Sequence, residues 1–452
     1  MKNTSSPRSL AIQVLVAWHD SGEVIASHLD RIVFGRDLPA RDRQLAVHLV
    51  RGVLRQLQYL DRVLASYSKT PPEKMKPLTL MALRVGILQL LFLDRIPASA
   101  AVNETVKALR QARQPRWLTG FVNGVLRRIA REHQEGRIPP PGKMDPPVRN
   151  HPDWLVTRWE KRFGRPLTEA ICTANNLEPS LCLRTNTLKI SPDELLHLLH
   201  RKDIKATPGR FAPGSIILPG HSGAVTSLPG FDEGLFQIQD EAAQLASLLL
   251  GPLRAGQNYL DGCAGLGGKS LHLAALLEHG AALTALEPDS RRFRLLRENL
   301  RRLGLLDRVT PAQTTLEDFS ARTTERFAGI LVDAPCSGTG VIRRQPDIRW
   351  NRKATDFPRY REKQLHLLDQ AAALLASGGV LVYTTCSLEP EENEEVVADF
   401  LEKHPQFQLQ SCRELLPEPA RKLVDREGFF RPTPADGLDG FFGARMVRGD
   451  ED

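Results

Sequence analysis

The sequence predicts a multidomain protein with an all-helical N-terminal domain, a small α/β module and a larger α/β domain on a mostly parallel sheet. Three observations carry this. Apolar residues recur at helical spacing up to about residue 135, prolines interrupt the chain at 136–148, and apolar strands alternate with helical stretches over the last 215 or so positions. At 452 residues the chain is also too long for one ordinary core.

In the first segment, 1–135, Leu10, Val14, Leu15 and Trp18 share one helix face, and Leu49, Val53, Leu60 and Leu64 share a face of a second, longer helix. Ile87–Leu93 is the longest apolar candidate and is predicted to be a buried helix segment, far short of the roughly 18 residues that span a bilayer. The N-terminus, Met1 to Pro7, lacks the apolar core of a secretory signal, so a cytoplasmic protein is expected.

Residues 136–150 form a proline-rich linker, with five prolines between Gly136 and Val148. A small α/β module then spans 151–235. It has a helix carrying Trp154 and Trp159, an extended Leu181–Asn186, and a helix from Ser191 whose Pro192 suits the first helical position. In the last domain, 236–449, apolar strands are predicted at 257–261, 282–286, 328–333 and 379–384, and a final strand at 441–447 lies at an edge or in a hairpin.

Charge is unevenly placed. Residues 1–150 hold 24 Lys and Arg against 12 Asp and Glu, a net of +12, whereas the remainder holds 37 against 41, a net of −4. A basic domain joined to a near-neutral one points to a polyanionic substrate; the plainer alternative is a solvated helical surface. Arg41 and Arg43, Arg51 and Arg55 one helical turn apart, and Arg127 and Arg128 are as a set candidate RNA contacts. The six cysteines form no CxxC pair and no cluster with His, so no metal site is expected, and they should be reduced thiols.

Two of those cysteines carry the chemistry. Asp333-Ala334-Pro335-Cys336-Ser337-Gly338 and Thr384-Thr385-Cys386-Ser387 each follow a buried apolar strand, and residues just past strand carboxyl ends line the ligand crevice of an open α/β sheet. The turn Asp261-Gly262-Cys263-Ala264-Gly265-Leu266-Gly267-Gly268-Lys269-Ser270 lets the backbone approach a ligand closely. It is not a P-loop, because Cys263 stands where that motif needs its first glycine. Glu287, ending the next strand, suits a ribose hydroxyl pair. Turn and acid support an adenosine cofactor without deciding between NAD and S-adenosylmethionine. Hydride transfer has no use for two cysteines, whereas pyrimidine methylation has.

With these residues in hand the chain resembles the RsmB (Sun/Fmu) group of the NOL1/NOP2/Sun RNA cytosine-C5 methyltransferases over nearly its full length. The matching stretches are Arg41–Ala46 and Phe121–Arg128 of a NusB-like domain, Leu183–Lys189, Gln239–Ala243, Asp333–Trp350, Thr385–Ser387 with Pro390–Asn393, and Asp439–Phe442. Two departures stand out: Gly265-Leu266 replaces the family's Ala-Pro in the turn, and Gln313 falls where the family has an acid at the adenosine.

The resemblance implies a Rossmann-like, seven-stranded methyltransferase domain with S-adenosylmethionine held by Cys263, Ala264, Gly265, Leu266, Gly267, Gly268, Lys269, Glu287, Arg292, Gln313 and Asp333. It implies Cys386 as nucleophile, Cys336 assisting breakdown of the adduct, Asp333 at the N3/N4 edge of the base, and Lys269 orienting Asp333 or assisting at the thiolate. RNA contacts fall to Arg41, Arg43, Arg184 and Asn186. The implied substrate is naked small-subunit (16S) ribosomal RNA acted on by a monomer. Transfer RNA as substrate, and a non-catalytic RNA-binding protein on a vestigial methyltransferase fold, stand as alternatives. Removing residues 1–140 is expected to weaken RNA binding and spare the cofactor.

Overall fold

The computed structural model describes residues 6–221 and 223–449. Residues 1–5, part of the N-terminal stretch that lacks the apolar core of a secretory signal, lie outside the described residues. The chain divides into two compact units. The first runs to Glu178 and takes in Ile342–Asn351; the second comprises Pro179–Val341 and the chain from Arg352 onward.

The first unit is helical, and its order follows from local signals. Ser6 caps the helix Pro7–Ser21 by accepting from the Ser9 amide, and Gly22 ends it in the left-handed region. Leu10, Val14, Leu15 and Trp18 are buried in one apolar cluster with Leu49, Val53, Leu60 and Leu64. These last four do not share one long helix as expected. Gln56, at φ −112° and ψ 18°, separates Ala40–Arg55 from Leu57–Tyr67. Its side chain is drawn away from the helix axis, donating to the Asn176 carbonyl (3.2 Å) and accepting from Asn150 Nδ2 (2.9 Å). The long helix Asp153–Asn175 carries Trp159 into the interior, although Gly164 leaves helical geometry within it. Ten residues of the methyltransferase sequence belong to this unit: Trp350 Nε1 donates to the Leu54 carbonyl (2.7 Å), and Asp347 Oδ2 accepts from the Ile25 amide (3.0 Å).

The second unit holds two sheets. β1 (Leu181–Thr185), β2 (Thr207–Pro208), β3 (Ser215–Leu218) and β4 (Phe236–Ile238) form an antiparallel sheet in the order β2-β3-β1-β4. Its helix Pro192–His200 starts where expected, with Ser191 and Glu194 closing a capping box.

The larger sheet comprises β5 (Asn258–Asp261), β6 (Ala282–Leu286), β7 (Val309–Ala312), β8 (Phe327–Asp333), β9 (Leu375–Thr385), β10 (Phe407–Gln410) and β11 (Phe442–Arg448), in the order β10-β11-β9-β8-β5-β6-β7. The five strands from β9 to β7 are parallel; β11 is antiparallel to both β9 and β10. This is the expected Rossmann-like methyltransferase fold with a mostly parallel seven-stranded sheet. The run Ile330-Leu331-Val332 is apolar throughout because both faces are covered: Ile330 and Val332 pack into one cluster and Leu331 into the other. Of the two places expected for the final strand, an edge or a hairpin, β11 takes neither the edge nor a tight hairpin: it pairs antiparallel with β10, the strand before it in sequence, which lies outside it. No helix among the described residues is long and apolar enough to cross a membrane.

Candidate active site

Strand order reverses at β5, where the chain leaves for β6 and β7 and returns on the other side as β8. Such a reversal opens a crevice at the strand carboxyl ends. Asp261, Asp333 and Cys386 stand at or just beyond the carboxyl ends of β5, β8 and β9.

The turn after β5 is built on a buried carboxylate. Asp261 accepts from Ser270 Oγ (2.6 Å) and the Cys263 amide (3.2 Å), which closes the loop over itself. Burial raises Asp261 to about 6, with the nearby Asp333 charge adding to that rise. Burial likewise pushes the Cys263 thiol up, so it sits as a packed, protonated side chain. Gly267 takes φ +90°, and a Cβ there would lie 2.6 Å from Leu296 Cδ1. Gly265 takes φ +58°, but a Cβ there, as at Gly268, would meet nothing closer than 3.8 Å. The turn therefore packs tightly on the helix side and is open on the other. Leu266 is exposed, its carbonyl accepting from Asn299 Nδ2 (3.1 Å).

Glu287 is buried just beyond β6. Its Oε1 takes the Asp289 amide (2.8 Å) and Arg292 Nη2 (3.2 Å), and Oε2 has no partner among the described residues. The Glu287 amide donates to Ala312, so Gln313 follows directly on the neighbouring strand end, with its side chain exposed. An open glycine turn beside a buried carboxylate with one unengaged oxygen fits an adenosine-bearing cofactor.

Across the crevice the two cysteine motifs meet. Cys336 Sγ lies 3.2 Å from Cys386 Sγ and accepts from the Cys386 amide at 3.3 Å. The hydrogen bond to Cys386, together with burial, raises the Cys336 thiol well above its usual range. Asp333 is engaged at both oxygens, with Lys269 Nζ 2.6 Å from Oδ2 and Thr384 Oγ1 donating to Oδ1 at 3.0 Å. Lys269 is itself buried, with its ammonium 4.6 Å from the centre of the Phe441 ring.

Glu392 holds these loops together. Its carboxylate accepts from the Ser337 amide (2.7 Å), Ser337 Oγ, Ser387 Oγ (2.5 Å) and Gln364 Nε2 (3.3 Å), so one buried group fixes the residue following each cysteine. Burial raises Glu392 above the ordinary glutamate value. Gly340 is required by close approach: a Cβ there would lie 2.2 Å from the Gly440 carbonyl oxygen, and Gly440 donates back to Gly340 at 2.8 Å. The terminal Asp439–Phe442 motif is thereby pinned to the Cys336 loop. Sequence reasoning noted Pro390–Asn393 and Asp439–Phe442 without assigning them work; their position among motifs that flank both cysteines was the available signal.

The expected RNA contacts divide. Arg41 is exposed on the helix Ala40–Arg55, whereas Arg43 is half-buried, bonding the Leu38 carbonyl (3.3 Å). Arg127 and Arg128 are exposed. Arg55 is buried and donates to the Arg343 carbonyl (3.2 Å), so it does not act with Arg51 as a surface pair. Arg184 and Asn186, expected as RNA contacts, are buried. Arg184 is buried and bonds Gln239 Oε1 and the Gly268 carbonyl (2.7 Å), thus bracing the cofactor turn. Asn186 is buried and donates to Gly234 (2.9 Å) and Leu303 (3.0 Å). Buried side chains that donate to backbone inside the fold offer little to a phosphate backbone.

Comparison with known proteins agrees with this layout. Residues 5–131 match the NusB family, 151–225 the ferredoxin-like domain of RsmF/B-like methyltransferases, and 248–447 the 16S rRNA methyltransferase RsmB/F family. The chain is 35% identical over 98% of its length to the probable ribosomal RNA small subunit methyltransferase B of Bacillus subtilis, covering 98% of that protein. It is 39% identical over 90% of its length to ribosomal RNA small subunit methyltransferase B of Pseudomonas putida, covering 91% of it. The crystal structure of a methyltransferase homologue from Pyrococcus horikoshii superposes with a TM-score of 0.56 at 29% identity, covering 66% of this chain and 96% of that one. The chain is an RNA methyltransferase that uses S-adenosylmethionine, and it belongs to the 16S rRNA methyltransferase RsmB/F family.

Proposed function

We propose that the protein methylates C5 of a cytosine in 16S ribosomal RNA through a covalent adduct between Cys386 and C6 of the base. The observation that carries this reading is the sulfur pair, 3.2 Å apart, in which the environment holds Cys336 as a thiol. Relatives named as small-subunit ribosomal RNA methyltransferases support the choice of RNA.

S-adenosylmethionine, when bound, supplies an electrophilic methyl group on a sulfonium. The glycine turn and Glu287 would hold it, with Arg292 fixing Glu287, and Gln313 offering an uncharged amide at the adenosine. Cytosine C5 is a poor nucleophile. Addition of the Cys386 thiolate at C6 makes C5 enamine-like, so it accepts the methyl group; loss of the C5 proton then lets the Cys386 thiolate leave and the ring recover. Asp333, fixed by Lys269 and Thr384, binds the N3/N4 edge. Cys336, beside the attacking sulfur and protonated, serves the breakdown of the adduct rather than the attack.

The roles separate experimentally. Cys386→Ala should abolish methyl transfer, and Cys336→Ala should accumulate a protein–RNA adduct visible on denaturing gels. An adduct trapped by Cys386→Ala with Cys336 intact reverses the assignment. Bisulfite sequencing of RNA from a deletion strain should lose one signal in 16S ribosomal RNA; a loss confined to tRNA would redirect the substrate.

A further inference from the structure

A second feature of the methyltransferase domain faces the same edge of the sheet as the cysteines. β10 is antiparallel to β11 and β11 to β9, so β10 runs with β9 and its carboxyl end points to the catalytic edge. Gln410 pairs with Arg445, which pairs with Val382, so the chain continuing from β10 leaves the sheet level with Val382, near the carboxyl end of β9. It does so two strand spacings, about 10 Å, to the side. There it lines a cavity of about 490 Å³ with Arg210, Phe211, Arg413, Glu418, Arg421 and Lys422.

The cavity is cationic by construction. The second unit lies in the part of the chain with a net negative charge, yet here four basic side chains meet one lining carboxylate. Arg421 has one weak ion pair beyond it, Nη2 to Glu414 Oε2 at 3.6 Å. The cations are held rather than loose. Arg413 Nη2 donates to the Val424 carbonyl (3.0 Å) and Arg421 Nε to Leu416 (3.3 Å). The Arg210 guanidinium and Lys422 ammonium lie 4.7 and 5.2 Å from the centre of the Phe211 ring. Phe211 is fixed in turn, because the buried carboxylate of Glu241 accepts from the Phe211 (2.7 Å) and Ala212 (2.9 Å) amides. The ring is buried in the same apolar cluster as Phe441, on which Lys269 rests. A buried ring covered by two cations is not free to stack on a base. It presents charge, and charge recognises phosphate.

We propose that this cleft binds the phosphodiester backbone of the RNA strand close to the target cytosine, as a sequence-independent anchor; the inference rests on the reading that RNA is the substrate. The test compares the full-length protein with Arg210→Ala/Lys422→Ala and with the charge-keeping Arg210→Lys. RNA affinity is measured across a salt series and S-adenosylmethionine binding is the control for folding. The double alanine variant should flatten the slope of log affinity against log salt by about 1.4, roughly 0.7 for each single-strand phosphate that the variant no longer neutralises. It should also raise KM for RNA at least five-fold, with cofactor affinity intact. Arg210→Lys should keep the slope. An unchanged slope and KM in the double variant overturns the proposal. So does saturable protection of Lys422 from acetylation by millimolar inorganic phosphate without protection by RNA, which would mark a site for free phosphate. Failure of the unaltered protein to methylate ribosomal RNA would instead sink the proposed function, while the salt series still reports on the cleft.

Discussion

Glu392 shows how one side chain can set the geometry of two cysteines that it does not touch. Four donors converge on its carboxylate, and only the ionised form offers enough lone pairs to satisfy them. Burial raises its pKa, so stability and activity pull in opposite directions. Its contribution to folding is fully present below the unfolded value and is lost as pH rises through the raised folded value. The clamp on Ser337 and Ser387 forms over that same rise. We expect kcat to fall on the acid side through a limb lying above the ordinary glutamate range. Glu392→Gln should lower kcat ten-fold or more and flatten that limb, with KM for RNA and cofactor binding little changed. A glutamine variant with the wild-type pH profile would reduce Glu392 to ordinary packing. The placement of Cys336, Cys386 and Asp333 at one crevice was legible in the sequence because each lies at or shortly beyond the carboxyl end of a readable strand. The clamp was not, because a buried glutamate in an acidic run looks like any solvated charge until its partners are in place. The burial of Arg184 and Asn186 was hidden for the converse reason: their spacing is compatible with a surface, and only tertiary packing sets them against backbone carbonyls.

Among elements, the cofactor turn carries the clearest division of labour between glycines. Gly267 combines a positive φ with close packing against the helix Ser290–Leu303 through Leu296, whereas Gly265 has the positive φ alone. Gly267→Ala should therefore destabilise the protein by about 2 kcal/mol, from a left-handed alanine plus a steric clash. It should also weaken S-adenosylmethionine binding more than ten-fold by calorimetry. Gly265→Ala should cost about 1 kcal/mol and affect binding less. Equal effects at the two positions would refute this division. At this scale the long apolar strands were legible from sequence, and the short ones were not. β7 is four residues with Pro311 inside it, and β10, Phe407-Gln408-Leu409-Gln410, alternates over only four positions at the sheet edge. With β10 unreadable, the sequence offers the final strand no outer partner, which leaves an edge or a hairpin as its expected place.

At the scale of the whole molecule, sequence order and compact units do not coincide. The run from Ile342 to Asn351 follows the Cys336 loop in sequence and belongs to the N-terminal unit in space. Arg349, fully buried, anchors it there, with Nη1 on the Asn150 carbonyl and Asn176 Oδ1 (both 2.7 Å) and Nη2 on the Asn175 carbonyl (2.8 Å). No local pattern announces this, since the run lies between the two cysteine motifs of the larger domain in sequence. It changes what removal of residues 1–140 should do. The cofactor turn is braced within its own unit by Asp261, Ser270 and Leu296, so S-adenosylmethionine binding should survive. The truncated chain loses the Leu54 carbonyl and the Ile25 amide that hold Trp350 and Asp347, so the run that follows the Cys336 loop in sequence loses its anchors. Methyl transfer should then fail even when RNA is saturating. Arg349→Met in the full-length chain separates the two effects. It leaves two buried carbonyls and one half-buried amide oxygen without this donor while removing a desolvated cation, for a net destabilisation of about 3 kcal/mol by urea titration. It should lower kcat while RNA affinity holds, because every exposed arginine of the N-terminal domain is still present. Wild-type kcat in a variant destabilised to that extent would show that this anchoring serves folding alone.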